Sequence, residues 1–247
     1  MAQPPLIVFT DLDGTLMDHE SYSCVPPRPA LGKLAALGIP LVLASSKTAA
    51  EIGPLRQQIG CADCPAIVEN GAGILEPDPG APSEAPAPGD GPPPGRYPEL
   101  LAASNETSPH LRALFEGFHD LGPAGGARVT GLPALAAAQA AQRQYSEPGL
   151  WLGGPDDLAE FLRVLAILGV TARRGGRFLT LSFGGTKADR MGEIAARYGN
   201  PPRIALGDAP NDVEMLEAAD HGVIIANPHG NDLPPLPGES AGLSRRT

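Results

Sequence analysis

Five short apolar runs, separated by segments with helical patterns, constrain the fold of this chain more than any other feature. The runs are Leu6–Thr10, Pro40–Ala44, Ala66–Glu69, Arg203–Gly207 and Gly222–Ala226. Near-continuous Val, Ile and Leu without polar alternation are typical of parallel strands in a sheet that is covered on both faces. Helical connections between parallel strands form right-handed crossovers. The sequence therefore predicts an α/β fold with a doubly wound parallel sheet, a Rossmann-type core.

The middle of the chain is organised differently. From residue 77 to residue 95, twelve of nineteen residues are Pro or Gly, and such a composition buries too little apolar surface to offset chain entropy, which predicts a mobile loop at about 77–95. Beyond it the patterns predict helices at Ser108–Gly117, Leu132–Tyr145 and Asp156–Leu168 and a half-buried strand at Phe178–Phe183. We therefore expect an inserted α/β cap domain at 85–184, between two parts of a core at 1–84 and 185–247. The Pro-, Gly- and Ser-rich tail after Asn227 is expected to fray.

The charge balance limits the classes of partner. The chain carries 28 acidic and 18 basic side chains, a net charge of −10. Nucleic-acid-binding proteins normally have a basic excess, so we expect no nucleic-acid partner. No stretch approaches the roughly 18–20 apolar residues of a membrane span, and no signal peptide is visible, so we expect a cytoplasmic protein without a membrane partner. The sequence leaves the oligomeric state open.

The chain has three cysteines, Cys24, Cys61 and Cys64. This small, odd number argues against a disulfide framework. The second and third have the spacing of half a zinc site, but the chain has no second pair with that spacing. We interpret them as ordinary thiols near a turn.

Polar side chains follow the first two predicted strands at the points where the strands end. Asp11 and Asp13 come directly after the first strand, and Gly14 permits the sharp turn that follows. The second strand ends in Ser45 and Ser46, where a hydroxyl group and the next helix N-terminus can hold a phosphate oxygen.

The fourth strand ends in a further acidic loop, which contains Asp208, Asn211 and Asp212. Each of these features also has a local explanation, because Asp-Gly is common in turns and Ser, Asn and Asp are common helix caps. Ligands of open α/β sheets bind outside the carboxyl ends of the strands, however. Three strand ends with matching chemistry therefore predict a functional site there.

Lys187 opens the helix that precedes the fourth strand, and it is one of only three lysines in the chain. A lysine at a helix start is normally solvated and slightly opposes the helix dipole. Such a local conflict is typical of a functional residue. We therefore expect Lys187 to be the cation that holds a phosphate beside the carboxylates.

These four elements occur in the order found in the haloacid dehalogenase superfamily of phosphotransferases, which the sequence resembles. They are Asp-Leu-Asp-Gly-Thr at 11–15, Ser45, Lys187 and Gly-Asp-x-x-x-Asp at 207–212. The long insertion between the second and third elements looks like the α/β cap of the sugar-phosphate phosphatases. The resemblance implies a haloacid dehalogenase-like core with this cap.

Finer details resemble the mannosyl-3-phosphoglycerate phosphatases. The matching segments are Ser-Ser-Lys-Thr at 45–48, Glu-Asn-Gly-Ala at 69–72, Gln-Arg-Gln-Tyr-Ser-Glu-Pro at 142–148 and Gly-Arg-Phe at 176–178. The chain departs from that family at Ala188, where Gly is usual, and at Thr180, where His is common. The implied reaction converts mannosyl-3-phosphoglycerate to the compatible solute mannosylglycerate.

The resemblance implies Mg²⁺-dependent hydrolysis of a phosphomonoester through an aspartyl-phosphate. In this scheme Asp11 is the nucleophile, Asp13 is the general acid and then the general base, and Lys187 is the catalytic cation. The phosphate is held by Ser45, Ser46, Lys187 and Asn211. The Mg²⁺ ligands are Asp11, Asp13 and Asp208, with Asp212 behind them.

The cap is expected to bind the rest of a small sugar-phosphate substrate. The candidates for a glycerate carboxylate, which a guanidinium group can bind through two hydrogen bonds, are Arg143, Arg173, Arg174 and Arg177. Of these, Arg143 is the better placed, inside the Gln-Arg-Gln-Tyr-Ser-Glu segment. Tyr145, Ser146 and Glu147 are the candidates for the sugar hydroxyl groups.

Other activities stay open at this point. One alternative is another sugar-phosphate phosphatase, acting on glucosyl-3-phosphoglycerate or sucrose 6-phosphate. A second is a phosphohexomutase, which keeps the phosphate on the sugar. A non-catalytic binding protein on the same fold would predict the loss of an element, yet Asp11, Asp13, Lys187 and Asp208 are all present.

Overall fold

The computed structural model describes residues 3–18, 27–78, 80, 95–227, 233–236 and 243–246. These residues form two compact units. Unit 1 comprises the described residues of Met1–Ser46, Gly53–Ser83 and Thr186–Thr247, and unit 2 those of Lys47–Ile52 and Glu84–Gly185. Most of the loop predicted at about 77–95 lies outside the described residues. The assignment of a core and a substrate-selecting cap domain stays a prediction.

The helices and strands are labelled in chain order. The first part of the chain contains β1 (Ile7–Thr10), α1 (Arg28–Ala36), β2 (Leu41–Ala44), α2 (Ala49–Ile59), β3 (Ala66–Val68), a 3₁₀ turn (Glu69–Gly71) and β4 (Gly73–Leu75). The middle part contains α3 (Tyr97–Asn105), α4 (Pro109–Ala113), β5 (Phe115–Gly117), α5 (Phe118–Thr130), α6 (Ala134–Ala140), β6 (Ser146–Trp151), α7 (Pro155–Ile167), β7 (Thr171–Gly175) and β8 (Phe178–Ser182). The last part contains α8 (Lys187–Arg197), β9 (Arg203–Gly207), a second 3₁₀ turn (Pro210–Asp212), α9 (Val213–Ala218), β10 (His221–Ile225) and β11 (Leu243–Arg246).

Unit 1 is built on a seven-stranded sheet with the order β11-β10-β9-β1-β2-β3-β4. All of its neighbouring strands are parallel except β3 and β4. In the centre, Thr10 of β1 pairs with Leu43 of β2 on one side and with Leu206 of β9 on the other. The predicted α/β class with a parallel sheet is therefore confirmed. The strand order reverses at β1, and crevices at such reversals are where open α/β sheets bind ligands.

The core of unit 1 explains why its central strands lack polar alternation. Every residue of β1 and β2 is buried. Met191 and Ile194 of α8 and Met215 of α9 belong to the same apolar cluster as Phe9 of β1. Burial of each such side chain contributes about 1.5–3 kcal/mol, so the sheet edge is supported by a rigid, closely packed interior.

Unit 2 has its own antiparallel sheet, with the order β5-β6-β8-β7. Its core includes Phe115, Phe161, Leu165 and Leu181. The ring of Trp151 stacks on that of Phe161 at 5.0 Å between centroids, so this single tryptophan packs against the core. None of the described helices is both long and apolar enough to cross a bilayer.

Several predicted elements differ from those in the structure. The helix expected at 108–117 ends at Ala113, because Phe115–Gly117 pairs with β6 as a strand. The helix expected at 132–145 covers only Ala134–Ala140. In the tail that was expected to fray, Leu243–Arg246 forms a parallel strand beside β10, and Leu243 packs into the core of unit 1.

Candidate active site

The carboxylates predicted from the strand ends lie at one edge of the unit 1 sheet. Asp11 follows β1 directly, and its backbone N–H donates to the carbonyl of Leu206 in β9 at 2.9 Å. Asp208 follows β9. Because β1 and β9 are parallel neighbours, both side chains leave the sheet at its carboxyl edge. Asp11 and Asp208 are each only 7% exposed.

Lys187 joins two of these acids. Its ammonium Nζ donates to Oδ1 of Asp11 and to Oδ1 of Asp212, each at 2.7 Å, and its side chain is 1% exposed. The start of α8 is fixed by a capping box, in which Thr186 and Asp189 exchange hydrogen bonds between side chain and backbone. The helix terminus thus holds a buried cation between two carboxylates.

Burial and nearby charges shift the pKa values of Asp11 and Lys187 in opposite directions. Burial raises the pKa of the Asp11 carboxyl to about 7, although the ammonium of Lys187 acts to lower it. For Lys187, burial alone would lower the pKa, but attraction to Asp11 and Asp212 outweighs it and raises the pKa above its ordinary value. Lys187 is therefore held protonated at neutral pH.

Asp212 and Asp208 are oriented by separate contacts. The Oδ2 atom of Asp212 accepts from the backbone N–H groups of Asp208 and Ala209, at 3.2 and 3.1 Å. Asp208 accepts from the Thr15 hydroxyl at 2.5 Å and from Nδ2 of Asn227 at 2.7 Å. Asp212 therefore positions both Lys187 and the turn that carries Asp208.

Gly14 makes room for this arrangement. Its φ is +86°, a left-handed conformation that favours glycine. A β-carbon at this position would collide with the side chains of Asn227 and Asp208. The glycine in the Asp-Leu-Asp-Gly-Thr motif is therefore required by both backbone conformation and close contact.

The acidic group has a donor set that fits a hard divalent cation. Carboxylate oxygens of Asp11, Asp208 and Asp212 lie within 4.8 Å of one another, and all three side chains are buried. Mg²⁺ binds oxygen ligands and is commonly held by one or two protein carboxylates. Within the described ranges this is the only such group of three, and the side chain of Asp13 is not part of it.

The family of this chain can now be identified. Residues 8–81 and 174–231, more than half of the chain, match the family model described as haloacid dehalogenase-like hydrolase. The chain belongs to this family. The matched ranges contain Asp11, Ser45, Lys187 and Asp208, so the resemblance noted from the motifs is confirmed at the family level.

Solved structures of haloacid dehalogenase-like proteins show the same fold. The phosphatase BT1666 from Bacteroides thetaiotaomicron is 18% identical, with a TM-score of 0.60 over 97% of this chain and 89% of that chain. Another haloacid dehalogenase-like hydrolase from the same organism is 20% identical, with a TM-score of 0.63 over 97% and 93%. The subclass IIB sugar phosphatase BT4131 is 19% identical, with a TM-score of 0.57 over 89% and 86%.

The predicted phosphate-binding residues of this haloacid dehalogenase-like hydrolase lie around a strained turn. Ser45 is buried at the end of β2, and its carbonyl accepts from the backbone N–H of Asn70 at 2.9 Å. The side chain of Asn70 accepts from Nδ2 of Asn211 at 3.0 Å. Ser46 and Asn211 are exposed.

The turn itself has an unusual backbone. Glu69 and Asn70 have φ values of +52° and +59°. Residues other than Gly and Asn rarely adopt this left-handed conformation. The next residue, Gly71, approaches the backbone of Thr186 so closely that a β-carbon would collide with it. The turn therefore connects the end of β2, the start of α8 and Asn211.

Substitutions of Asn70 separate its backbone role from its side-chain role. We expect Asn70→Gly and Asn70→Ala to lose the bond to Asn211 equally and to lower turnover equally. Only Asn70→Ala keeps a β-carbon in the left-handed region, so its free energy of unfolding should be about 1 kcal/mol lower than that of Asn70→Gly. Urea denaturation and steady-state kinetics measure the two effects.

Asn200 provides the matched control for this prediction. It is exposed, and it has a φ of +55°. Asn200→Ala should lower stability relative to Asn200→Gly by a similar amount and leave turnover unchanged. Equal stability of the two Asn70 variants would contradict the proposed backbone role.

The predicted cap residues fall into two groups in unit 2. Arg143 donates from Nη2 to the Ser146 hydroxyl at 2.9 Å. Glu147 is 2% exposed and accepts from the Tyr97 hydroxyl at 2.6 Å and from the His119 N–H at 2.8 Å. Burial raises the pKa of the Glu147 carboxyl, against the opposing effect of these bonds. The contacts of Glu147 therefore come from within the unit.

Tyr145 and Arg177 are placed differently. Gly95 packs against the half-buried ring of Tyr145. Arg177 is exposed in the turn between β7 and β8, with its guanidinium 5.3 Å from the centre of the Phe178 ring. Within the described part of unit 2, no hydrogen bond joins Arg177 to Glu147.

The sequence did not predict several residues that contact the candidate active site or the cap residues. In the sequence, Thr15 stands out only as part of the Asp-Leu-Asp-Gly-Thr motif, and Asn227 only as the residue before the tail. Asn70 stands out only in the family resemblance, and Tyr97 has no distinguishing pattern. A hydroxyl group two residues after an acidic pair was the one available signal, and it points to Thr15 alone.

Proposed function

We propose that this chain is a Mg²⁺-dependent phosphatase that hydrolyses mannosyl-3-phosphoglycerate through an aspartyl-phosphate on Asp11. One observation carries the proposal of phosphoryl transfer: a buried lysine bonded to Asp11 and Asp212 at the sheet edge where β1 and β9 end. Phosphoryl transfer depends mainly on positioning and on stabilisation of negative charge, and this group supplies both.

In the first step an Oδ atom of Asp11 attacks phosphorus, and the bond to the leaving alcohol oxygen breaks. The approach of a carboxylate to an anionic phosphate is opposed by about 4 kcal/mol for two unit charges at about 4 Å and an effective dielectric constant of about 20. Lys187 reduces this repulsion because its ammonium lies 2.7 Å from Asp11. Ser45 and Asn211 bind the transferring oxygens in this scheme.

Asp13 transfers the protons. It is only partly buried and does not belong to the buried acidic group of Asp11, Asp208 and Asp212. Asp13 protonates the leaving oxygen in the first step. In the second it removes a proton from the water that attacks the aspartyl-phosphate, which releases inorganic phosphate and restores Asp11.

The metal ligands proposed here are Asp11, the backbone carbonyl of Asp13, and Asp208. Asp212 supports them through its bonds to Lys187 and to the backbone of Asp208. When bound, Mg²⁺ supplies positive charge that offsets the charge of the phosphate. The contacts of Thr15 and Asn227 hold the Asp208 carboxylate in one orientation.

The substrate assignment is supported by the cap motifs. The segment at 142–148 resembles the mannosyl-3-phosphoglycerate phosphatases, and a structural neighbour is a sugar phosphatase. We assign the glycerate carboxylate to Arg143 and Arg177, and a sugar hydroxyl group to Tyr145. Ser146 and Glu147, which the sequence also suggested for sugar hydroxyl groups, are buried and bonded to other groups of unit 2, so we assign them to holding the segment in place. The bond between the partly buried Arg143 and the buried Ser146 helps to fix the conformation of this segment.

Release of inorganic phosphate from a substrate panel tests the proposal. The panel contains mannosyl-3-phosphoglycerate, glucosyl-3-phosphoglycerate, sucrose 6-phosphate and mannose phosphates, each assayed with Mg²⁺ and with EDTA. We expect Mg²⁺-dependent release with a clear preference for the mannosyl substrate. Preference for another ester would overturn the substrate and retain the reaction. The absence of release from every ester would overturn the phosphatase assignment and favour a mutase or a binding protein.

A matched pair of arginine variants tests the cap assignment. Arg177→Met should raise KM for mannosyl-3-phosphoglycerate about tenfold or more and leave KM for mannose phosphates, which lack a carboxylate, unchanged. The exposed Arg128 of α5 is the control, and Arg128→Met should change neither value. Equal changes for both substrates would contradict the assignment.

A further inference from the structure

Two thiols lie at the edge of the unit 1 sheet opposite to Asp11. Cys61 and Cys64 precede β3, which is parallel to β2, so they lie near the amino ends of these strands. The side chains are buried, with Cys61 4% and Cys64 7% exposed, and both are thiols in the structure. The proposed phosphatase reaction does not use them.

The chain between the two cysteines forms a tight turn. The N–H of Cys64 donates to the carbonyl of Cys61 at 3.1 Å, which closes a four-residue β-turn. Such turns bring their first and last Cα atoms within about 7 Å. Disulfides join residues whose Cα atoms are about 4.4–6.8 Å apart. The turn therefore brings the two cysteines into the distance range that a disulfide requires.

A buried arginine lies against this turn. Arg56 is 2% exposed, and it donates from Nη1 to the Cys64 carbonyl at 2.7 Å and from Nη2 to the Glu76 carbonyl at 3.0 Å. These acceptors are neutral, and no carboxylate among the described residues forms an ion pair with it. Among the described residues, its Nε has no hydrogen-bond acceptor.

The charge of Arg56 favours a thiolate nearby. Burial lowers the pKa of Arg56, and the largest opposing effect comes from Cys61. The carboxylates of Asp78 and Glu76 also act to raise it, and a cysteine thiolate close to the buried guanidinium would add to their effect. Burial raises the pKa of the Cys64 thiol, and the nearby Tyr198 hydroxyl acts in the opposite direction.

Small reagents can reach the pair. A cavity of about 1290 Å³ is lined by both cysteines, by Leu41 and by Tyr198. Cavities of about 300–1,000 Å³ accommodate typical small ligands, so a molecule the size of a tripeptide disulfide fits this space. The buried pair therefore borders a space large enough for such a reagent.

We propose that Cys61 and Cys64 form a redox site that is oxidised to an intramolecular disulfide by low-molecular-weight disulfides. The thiolate of Cys61 attacks one sulfur of the reagent, forms a mixed disulfide and displaces the first small thiol. The thiolate of Cys64 then attacks Sγ of Cys61, which forms the Cys61–Cys64 bond and displaces the second. Both thiol protons pass through solvent to the released thiolates, so one disulfide is reduced as one is formed.

A metal site is not the better assignment for this pair. Zinc held by two cysteines needs two further ligands. In the part of the chain that the structure describes, the one group of three or more potential metal ligands is the aspartate group of the candidate active site. The turn geometry and the buried arginine both favour sulfur chemistry.

Thiol counting in glutathione redox buffers tests the proposal. The full-length Cys24→Ser protein retains only Cys61 and Cys64. It is equilibrated at a series of ratios of reduced to oxidised glutathione, alkylated, and analysed by intact mass spectrometry and peptide mapping. We expect the number of alkylated thiols to fall from two to zero in one transition, with the loss of two hydrogen atoms and without retained glutathione.

Single variants make the test specific. In the Cys24→Ser background, Cys64→Ser should stop at a mixed disulfide on Cys61, and Cys61→Ser should form no intramolecular bond. Two thiols that remain unreacted in the folded protein under fully oxidising conditions would overturn the proposal, as would two separate mixed disulfides. Neither result depends on phosphatase activity.

The charge of Arg56 is tested through the rate. Removal of a cation that lowers a thiol pKa by one unit reduces the thiolate fraction about tenfold. Arg56→Met should therefore slow disulfide formation about tenfold, and Arg56→Lys, which keeps the charge, should slow it much less. Equal rates in the two variants would overturn the role of Arg56, and the thiol count in Cys24→Ser remains decisive for the redox site.

Discussion

Replacement of Asp11 by asparagine is expected to lower phosphatase turnover by at least about 10⁴-fold. The amide of asparagine cannot form the proposed aspartyl-phosphate, since it lacks the nucleophilic carboxylate. It can still accept a hydrogen bond from Lys187, whose second partner, Asp212, is unchanged. Single-turnover release of phosphate measures the loss. Unfolding in urea shows whether the fold is kept, and we expect a change below about 1.5 kcal/mol.

The control for Asp11→Asn is another loss of a carboxylate from the same unit. Glu217 is exposed on α9, so Glu217→Gln should change neither turnover nor stability. Asp13→Asn should lose turnover while retaining phosphorylation of Asp11 by activated esters, because good leaving groups need no general acid. Full turnover by Asp11→Asn with an intact fold would contradict the assignment of the nucleophile.

The central part of the fold could be predicted because local and tertiary preferences agree there. The strands β1, β2 and β9 are short apolar runs, and the sheet pairs them side by side. Parallel strands place their carboxyl ends at one edge, and this rule alone brings Asp11 near Asp208. The same rule does not predict which side chains from distant parts of the chain contact these carboxylates.

Contacts between distant residues explain what the sequence could not show in the candidate site. Asn227 contacts Asp208 from beyond β10, and Thr15 reaches it from the loop after β1. The bond between Asn211 and Asn70 joins residues 141 positions apart. No local pattern encodes such pairs, since each residue by itself is equally consistent with a turn or a helix cap.

The errors in unit 2 have a similar cause. Phe115–Gly117 begins one residue after α4 and has no alternating pattern of its own, yet it becomes a strand because β6 pairs with it. Strand preference depends strongly on partners, whereas the periodicity of a helix is a property of the local sequence. The sequence suggests Ser146 and Glu147 only as ligand-binding residues, yet they belong to β6, whose backbone pairs with both β5 and β8.

Replacement of Lys187 by methionine is expected to lower the free energy of unfolding by about 3–5 kcal/mol in the absence of metal. The variant keeps a buried side chain of similar length but leaves Asp11 and Asp212 without their common cation. Two uncompensated carboxylates in a buried site repel each other and are poorly solvated. Urea denaturation in EDTA measures the effect, with Lys33→Met, at an exposed position of α1, as the control.

A second substitution separates the loss of charge balance from poor packing. Asp212→Asn removes one of the two carboxylates, so the double variant Lys187→Met/Asp212→Asn should recover a substantial part of the lost stability. The two residues are in direct contact, and their effects should therefore not add. Purely additive losses would show that methionine packs badly and that the ion pair contributes little.

The pH dependence of Lys187→Met follows from the charges that remain. Burial already raises the pKa of Asp11 from its ordinary 3.8 to about 7 with Lys187 present, and removal of the ammonium raises it further. A carboxyl group with a raised pKa binds its proton more tightly in the folded state, so it destabilises the fold as pH rises from about 4 through the folded value. Below about pH 7 Asp11 is protonated in the folded state of both proteins, so both lose stability in parallel as pH rises from about 4. Above about pH 7 only the wild type ionises Asp11, and the stability difference between wild type and variant should therefore grow there. A difference that stays constant from below pH 7 to well above it would show that the Asp11 carboxylate is not the cause.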